Sequence, residues 1–321
     1  MNFLNDLKMF QFDLKVVELP LISKFRGINK REIALFEGPA GWSEFSPFPE
    51  YGAIESAIWL KAAISGATNS YFNNLRNEIE INALLPNVEK SEVKNLLAKY
   101  PGCKTVKIKI NDFKSDRDLL IEVLNNIPEA NFRLDVNGQW SLSEAIENLN
   151  NYDLEFGEKI DYVEQPCLEF KDLQELRKHV NLKIAVDESI RKNLNSDFSS
   201  LKSVADIAIL KWAPSGGVNS ALEIAEQINL PIVISSALES SIGISHGLSL
   251  AQCIPNLYGP CGLGSASLFE YDVTSDPFKI ENGKLLNRKI SPDLISKFEV
   301  RPDRLRWWQN RIEQIYREGL L

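Results

Sequence analysis

The stretch that decides the fold is CKTVKIKIN, residues 103–111. Valine or isoleucine fills every second position of its centre, a pattern typical of a buried β-strand. Lys107 and Lys109 occupy the positions between them, so both side chains point to one face of that strand. Two ammonium groups on one face of so apolar a strand need an explanation, and the rest of the chain supplies it.

Seven further apolar runs occur, and polar loops and amphipathic segments separate them. Strands that alternate with helices indicate βαβ units and a parallel sheet. The eight runs are IEINALLP, TVKIKIN, FRLDVNGQW, IDYVEQP, LKIAVDES, ADIAILKWAP, PIVISSALESS and GLGSASLF. This number and spacing predict an α/β fold, a (β/α)8-type, TIM-like barrel, with a β7α7β variant left open. No GxGxxG motif follows any run, which argues against a dinucleotide-binding fold.

The chain before and after these runs has a different pattern. The short segments FQFDLKVVELPL, REIALFEG and GWSEFSPF predict antiparallel strands. YGAIESAIWLKAAISGA has helical spacing, and we expect that helix to stop at Gly66. We therefore predict an α+β capping domain over residues 1–78 and a barrel over 79–274. The tail, residues 275–321, is expected to pack on the capping domain.

Composition limits the possible partners. The 321 residues are 44% hydrophobic and 25% charged, with a net charge of −8, which favours neither nucleic acid nor an anionic membrane. The four cysteines lack CxxC spacing, so we expect free thiols. The first fifteen residues carry acids, and their apolar run breaks too early for a signal peptide. No apolar run is long enough to span a membrane. We expect a cytoplasmic protein, with monomer and homodimer both open.

Six charged residues lie on five consecutive predicted strands, at or near the C-terminal end of each. They are Lys107, Lys109, Asp135, Glu164, Asp187 and Lys211. In a parallel barrel the C-terminal strand ends open on one face, where the active site is built. We therefore expect these side chains to converge there.

Three carboxylates held close together need a cation to compensate them. Oxygen ligands without a nearby histidine favour Mg²⁺. Such a site can stabilise the enediolate formed when a lysine takes a proton from the carbon beside a carboxylate. Burial and a neighbouring cation both lower the pKa of a lysine, so Lys107 would lower the pKa of Lys109, and Lys109 would move the proton.

Each feature also has a structural explanation. A KxK pair is usually an exposed face, a single Asp at a strand end is usually a helix cap, and lysines and carboxylates can neutralise one another inside a barrel. Buried ion clusters stabilise weakly and are costly to assemble. Six charged groups in register therefore favour the functional interpretation.

Other polar residues have weaker signals. Arg133 shares a strand face with Asp135, and either orients a carboxylate from a deeper layer or forms an ion pair in the core. Asn137 is better placed to touch a metal-bound water or a ligand. Of the two histidines, we expect His179 on the surface and His246 in helix packing.

The motifs KIK, LDVN, VEQP, VDES and ILKWAPSGG, in this order and spacing, resemble the enolase superfamily, in its muconate-cycloisomerase-like branch. The resemblance covers residues 79–270, and GWSEFSPFPEY resembles the capping domain of that family. It implies that Asp135, Glu164 and Asp187 bind Mg²⁺, which holds a small-molecule carboxylate substrate. Gln165 departs from the second Glu of many relatives, which leaves the role of Glu164 untouched.

The resemblance also assigns the lysines and the substrate contacts. Lys109 would be the base, Lys211 the cation opposite it, and Lys107 a support for Lys109. The implied substrate-binding residues are Asn137, Ser235, Ser236, Gly262 and Arg133, with Gly264, Phe48 and Tyr51 as further contacts. Segments 21–28 and 46–51 would close over the site. The role of Glu239 stays open.

The segments EQP, VDES and ISSALESSIG resemble the signatures of one group within that branch, and this resemblance implies one reaction in particular. It is the dehydration of 2-succinyl-6-hydroxy-2,4-cyclohexadiene-1-carboxylate to 2-succinylbenzoate, on the route to menaquinone or phylloquinone. The alternative is racemisation of N-succinylamino acids or epimerisation of dipeptides by the same six groups. A non-catalytic barrel would be expected to have lost one of these groups, and none is missing.

Overall fold

An antiparallel sheet and a helix precede the barrel. The computed structural model describes residues 13–70, 75–194 and 197–321. Its first elements are β1 (Lys15–Phe25), β2 (Ile28–Gly38), β3 (Gly41–Phe45) and α1 (Ala53–Thr68). The strands pair in the order β1, β2, β3, as predicted for the α+β module. Residues 1–12, included in the predicted capping domain, lie outside the described ranges.

Helix α1 does not stop at Gly66 but continues to Thr68. A Cβ atom at Gly66 would lie 2.7 Å from Ser43 Oγ and 2.8 Å from His246 Cε1. The glycine therefore allows close packing between α1, the capping sheet and a barrel helix. The sequence suggested a helix end because glycine serves both purposes.

Seven parallel strands form the barrel sheet. A short strand, β4 (Glu78–Glu80), precedes them. The barrel strands are β5 (Ala83–Leu85), β6 (Thr105–Lys109), β7 (Asn131–Asp135), β8 (Ile160–Glu164), β9 (Ile184–Val186), β10 (Ile207–Leu210) and β11 (Ile232–Ile234). Each pairs with the next along the chain. Tyr162, Ile207 and Val233 belong to one buried cluster on these strands, so the barrel centre is packed with side chains.

A two-residue segment closes the barrel. Gly262 forms a parallel bridge with Ser235, just after β11, while Cys261 bridges to Ile81, just before β5. The eighth predicted run therefore supplies only this contact before the chain enters a 3₁₀ helix at Ser265–Leu268. The predicted TIM-like barrel is confirmed, with a minimal eighth strand.

Helices follow the barrel strands, and side chains cap the start of some of them. The helices are α2 (Val93–Leu97), α3 (Phe113–Asn126), α4 (Leu142–Phe156), α5 (Phe170–Leu176), α6 (Glu188–Arg191), α7 (Val218–Ile228) and α8 (Ser241–Cys253). The Asp112 carboxylate accepts a hydrogen bond from the Ser115 backbone at the start of α3, and Ser141 and Glu144 form a capping box on α4. Within the described ranges, no helix is long and apolar enough to cross a bilayer.

The tail returns to the first half of the chain. It contains β12 (Lys284–Leu286), α9 (Ile295–Phe298) and α10 (Pro302–Arg317). Strand β12 pairs with β4, whereas α10 packs on α1 and β1. Arg311 of α10 donates hydrogen bonds of 2.8 Å to the carbonyl oxygens of Phe48 and Tyr51. The last helix thereby holds the segment that follows β3.

Candidate active site

A cavity of about 760 Å³ lies at the C-terminal ends of the barrel strands, beneath the capping sheet. The predicted residues that line it are Lys107, Lys109, Asp135, Asn137, Asp187, Lys211, Ser235, Ser236, Gly262, Gly264, Phe48 and Tyr51. The hairpin residues 24–27 also line it. Both segments predicted to cover the site, 21–28 and 46–51, therefore reach the cavity.

Lys107 lies between two of the predicted metal ligands. Its Nζ atom is 2.9 Å from Asp135 Oδ2 and 2.6 Å from Glu164 Oε2. Burial alone would lower the pKa of Lys107, but attraction to these two carboxylates outweighs burial and raises it well above its usual value. Lys107 therefore remains a cation.

Lys211 and the third carboxylate form a second pair. Lys211 Nζ is 2.7 Å from Asp187 Oδ2. Burial acts against both charges, but their attraction leaves the pKa of Lys211 raised and that of Asp187 lowered. Gln165 positions this carboxylate, because its Oε1 accepts hydrogen bonds from the backbone nitrogens of Asp187 and Ser189 at 3.1 Å each.

Lys109 differs from the other two lysines because its pKa is lowered. Burial is the largest cause, and the neighbouring Lys107 adds a smaller effect that Asp135 and Glu188 oppose. This direction is the one expected from the sequence, but the effect of Lys107 is smaller than expected. The Lys109 ammonium donates a hydrogen bond to Asn137 Oδ1, which orients it at the cavity wall.

The donor set suits a hard divalent cation. Glu164 Oε1 is buried without a hydrogen-bond partner, and burial together with repulsion from Asp135 raises the pKa of Glu164 to about 7. Such an orphaned oxygen is what a cation would satisfy. With Lys107 and Lys211 paired to the carboxylates, no three metal-ligating side chains in the described ranges already converge on one point.

Arg133 lies outside the cavity and is fully buried. Its Nε atom is 2.8 Å from Asp161 Oδ2, and its Nη1 donates to the Pro260 carbonyl at 2.5 Å. A direct contact with substrate is therefore not available to Arg133, and of its two predicted roles the structure has the core ion pair. The sequence placed Arg133 on the correct face of β7 and in a deeper layer, so only the substrate contact implied by the resemblance disagrees with the structure.

The two histidines take the expected places. The ring of His246 packs against that of Trp212, with centroids 4.6 Å apart, and burial lowers the pKa of His246 to about 4. His179 is half exposed, with Nε2 3.3 Å from Glu175 Oε1. Neither lines the cavity.

Six charged cavity residues were not singled out in the sequence, namely Lys24, Arg26, Glu50, Glu188, Arg191 and Lys192. Glu188 and Arg191 lie on the short helix α6, directly after Asp187, and Arg26 lies at the tip of the β1–β2 hairpin. Glu188 stands within the quoted VDES motif, which could have revealed it. Arg26 lies within segment 21–28, which was expected to close over the site, but no sequence motif singled out this residue. Its position depends on how the capping sheet sits on the barrel.

Glu239, whose role was open, belongs to a buried charged group between the capping sheet and the barrel. Glu239, Glu44 and Arg31 are each at most 1% exposed. Glu239 Oε2 accepts a hydrogen bond of 2.8 Å from the Ala237 nitrogen, while its Oε1 has no partner. Burial and repulsion from Glu44 raise the pKa of Glu239 to about 8. Glu239 does not itself line the cavity.

Comparisons with known sequences identify the family. A sequence profile described as enolase N-terminal domain-like matches residues 16–67, and one described as enolase C-terminal domain-like matches residues 90–289. The o-succinylbenzoate synthases of Mycobacterium ulcerans (strain Agy99) and Mycobacterium marinum (strain ATCC BAA-535 / M) are each 40% identical over 309 residues. These alignments cover 94% of this chain and 93% of each relative.

Solved structures share the fold. The muconate lactonizing enzyme of Pseudomonas fluorescens superposes with a TM-score of 0.73 at 18% identity, covering 90% of this chain and 98% of that one. The L-Ala-D/L-Glu epimerase of Bacillus subtilis has a TM-score of 0.72 at 18% identity, with coverage of 86% and 95%. The sequence profiles and the 40% identical relatives show that the chain is a member of the enolase superfamily, similar to the o-succinylbenzoate synthases, and is an enzyme of the lyase class.

Proposed function

We propose that this enzyme dehydrates 2-succinyl-6-hydroxy-2,4-cyclohexadiene-1-carboxylate to 2-succinylbenzoate. Relatives that are 40% identical over 94% of the chain are named for that product. One observation on the site carries the mechanism: of the three lysines beside the predicted metal ligands, Lys109 has a lowered pKa, whereas Lys107 and Lys211 have raised ones. This difference separates a proton acceptor from two fixed cations.

Lys109 and Lys211 act from opposite sides of the cavity. Lys109 ends β6 and Lys211 directly follows β10, four strands further around the barrel. A substrate between them can lose a proton to Lys109 while Lys211 faces the negative charge that develops. Fixed charges of this kind need no reorganisation during the reaction.

The reaction balances with Lys109 alone as the proton carrier. Its neutral amine takes the α-proton, and the C–H electron pair moves into the carboxylate to give an enediolate. The C–O bond to the ring hydroxyl then breaks, and the leaving hydroxide takes the proton back from Lys109 as water. The ring becomes aromatic, and Lys109 returns to its neutral form.

Asp135, Glu164 and Asp187 would hold the metal ion, which we propose to be Mg²⁺. Three carboxylates are oxygen donors of the kind this ion prefers, and the buried Glu164 Oε1 lacks another partner. When bound, the ion supplies positive charge next to the substrate carboxylate. These carboxylates would hold the ion at the floor of the cavity.

The experiment is a direct assay of the purified protein. We expect loss of the cyclohexadiene and appearance of 2-succinylbenzoate, abolished by EDTA and restored by Mg²⁺. Aromatic product that forms equally well in EDTA would contradict the metal requirement, and no product under any metal condition would contradict the reaction. The proposed place in menaquinone or phylloquinone biosynthesis leads us to expect this activity in the cytoplasm.

A racemase of N-succinylamino acids is the second candidate, because it needs the same two opposed lysines. The charge at the cavity mouth separates it from a dipeptide epimerase. Arg26 and Arg191 line the mouth, and they favour a second carboxylate over the free ammonium of a dipeptide. Incorporation of deuterium from D2O at the α-carbon of an N-succinylamino acid, at a rate matching dehydration, would support this candidate.

A further inference from the structure

The cavity lining carries two groups of positive charge. At the floor, Lys107 and Lys211 lie beside the predicted metal ligands. Beyond the lysines that serve the chemistry, the described lining adds four cations, which come from the capping hairpin and the end of α6 and define the cavity mouth, against two carboxylates. The cations are Lys24, Arg26, Arg191 and Lys192, and the carboxylates are Glu50 and Glu188. The floor charges serve the chemistry proposed above, so the mouth charges need a separate explanation.

Arg26 is braced at the capping side of the mouth. It lies in the two-residue turn between β1 and β2, where φ is 47° at Arg26 and 83° at Gly27. Its guanidinium carbon is 4.3 Å from the centre of the Phe48 ring, and its Nη1 donates to the Tyr51 hydroxyl at 3.3 Å. The aromatic contacts hold a cation at the cavity edge without neutralising it.

Arg191 occupies the barrel side and reaches towards the floor. Its Nη2 is 2.9 Å from Glu188 Oε1, and its Nε is 3.6 Å from Asp187 Oδ2. Lys211 Nζ contacts the same Asp187 oxygen at 2.7 Å. Arg191 and Lys211 are therefore near neighbours, and a substrate anchored beside Lys211 by one carboxylate can reach Arg191 through a short arm.

The guanidinium group of Arg191 is suited to bind a carboxylate at the end of that arm. An Arg side chain has five N–H donors in a planar fork that matches a carboxylate, and its two ion pairs engage only part of them. The Arg191 side chain is 24% exposed, so the rest of the fork can meet a ligand. A hydrogen-bonded charge pair at a partly buried position contributes to affinity and to selectivity.

We infer that Arg191 is the specificity-determining residue for a second carboxylate on the substrate, with Arg26 facing it from the capping hairpin. This inference rests on the proposed function, in which the ring carboxylate lies at the floor and the succinyl carboxylate at the mouth. Arg191 takes no part in proton transfer. It selects dicarboxylates over monocarboxylates of the same shape.

The test compares two ligands on two proteins by titration calorimetry with Mg²⁺ present. The ligands are 2-succinylbenzoate and 2-butanoylbenzoate. In the second, a methyl group replaces the terminal carboxylate of the arm. We expect the wild-type protein to prefer the dicarboxylate by roughly 10- to 100-fold, the range for a hydrogen bond to a charged group. In Arg191→Met this preference should fall to nearly one. Arg317→Met, which makes the same change at an exposed position on α10, should retain it.

The outcomes separate the possible failures. If Arg191→Met weakens both ligands by the same factor, Arg191 only positions Asp187 and Glu188, and the inference is overturned. Equal binding of the two ligands by the wild-type protein would also overturn it, while leaving the dehydration assay unaffected. If the wild-type protein binds neither ligand and forms no product, the proposed function fails as well.

Discussion

Glu44 of the capping sheet caps a helix of the barrel. Its Oε2 accepts hydrogen bonds from the Ser240 backbone nitrogen at 3.1 Å and from the Ser240 hydroxyl at 2.6 Å. Ser240 is the N-cap residue of α8, so a carboxylate from one module satisfies the helix start of the other. Glu239 and Arg31 lie beside it, which makes the contact between the modules sensitive to protonation.

Stability should therefore decrease as pH rises from about 5 to 8. Burial raises the pKa of Glu44 to about 7, and burial with repulsion from Glu44 raises that of Glu239 to about 8. The folded state keeps protons that the unfolded state loses near pH 4.5, so the stabilisation is complete below that pH and lost as pH approaches 8. Each such group contributes a slope of about 1.4 kcal/mol per pH unit.

Glu239→Gln should reduce that slope, as measured by urea unfolding at several pH values. Glu147→Gln makes the same charge change at an exposed position on α4 and should leave the slope as it is. An unaltered slope in Glu239→Gln would show that this carboxyl does not keep its proton in the folded protein.

Lys109→Ala should lower kcat by about 10²–10⁴-fold or more, the usual contribution of a general base. The far-ultraviolet circular dichroism should not change, because the side chain lies at the cavity wall. Lys104→Ala removes an exposed lysine just before β6 and should retain full activity. A Lys109→Ala protein that keeps a substantial rate would exclude this residue as the base.

Glu164→Gln should weaken Mg²⁺ binding about tenfold or more, because it removes a charged oxygen donor. Titration calorimetry measures the affinity directly. Glu158→Gln, at an exposed position shortly before β8, controls for the loss of one negative charge. Equal Mg²⁺ affinity in Glu164→Gln and wild-type protein would remove Glu164 from the ligand set.

Lys211→Ala should reduce dehydration by about 10²–10³-fold although Lys211 transfers no proton in that reaction. The expected loss comes from the missing cation opposite Lys109. Lys202→Ala, at an exposed lysine shortly before β10, should be neutral in the same steady-state assay. If dehydration survives in Lys211→Ala, the electrostatic role must be abandoned.

Gly66→Ala should destabilise the protein by about 1–3 kcal/mol, the usual cost of overpacking. The added methyl group would lie 2.7 Å from Ser43 Oγ. Gly52→Ala, where a Cβ meets nothing within 4 Å, should change stability far less. Thermal unfolding of the two variants tests this, and equal melting temperatures would mean that the contact relaxes without cost.

The barrel and the charged residues at the floor of its cavity could be predicted from the sequence, because the periodicity of the strands and helices determines where they lie. A strand of period two places Lys107 and Lys109 on one face, and parallel strands bring Asp135 and Asp187 to the same end. These relations depend only on neighbours within one repeat. The six charged residues were therefore found without any long-range information.

The features that could not be predicted from the sequence depend on contacts between the capping sheet and the barrel. Arg26 and Glu44 belong to the capping sheet, and their roles appear only once that sheet is placed over α8 and the cavity. Gly66 resembled a helix end because its packing partners, Ser43 and His246, are far away in the chain. Arg133 was expected in a deeper layer than Asp135 and lies there, but the substrate contact implied for it by the resemblance does not agree with the structure, because its guanidinium is bound to Asp161 and Pro260 in the core.

The hydrogen bonds from Arg311 to the carbonyl oxygens of Phe48 and Tyr51 bear on the order of events during synthesis. A ribosome makes the aromatic wall of the cavity early and the helix that fixes it more than 250 residues later, as the separation of Arg311 from Phe48 shows. A nascent chain can thus complete its barrel while this wall is still untethered. Catalytic competence should arise only when the last helix has left the exit tunnel.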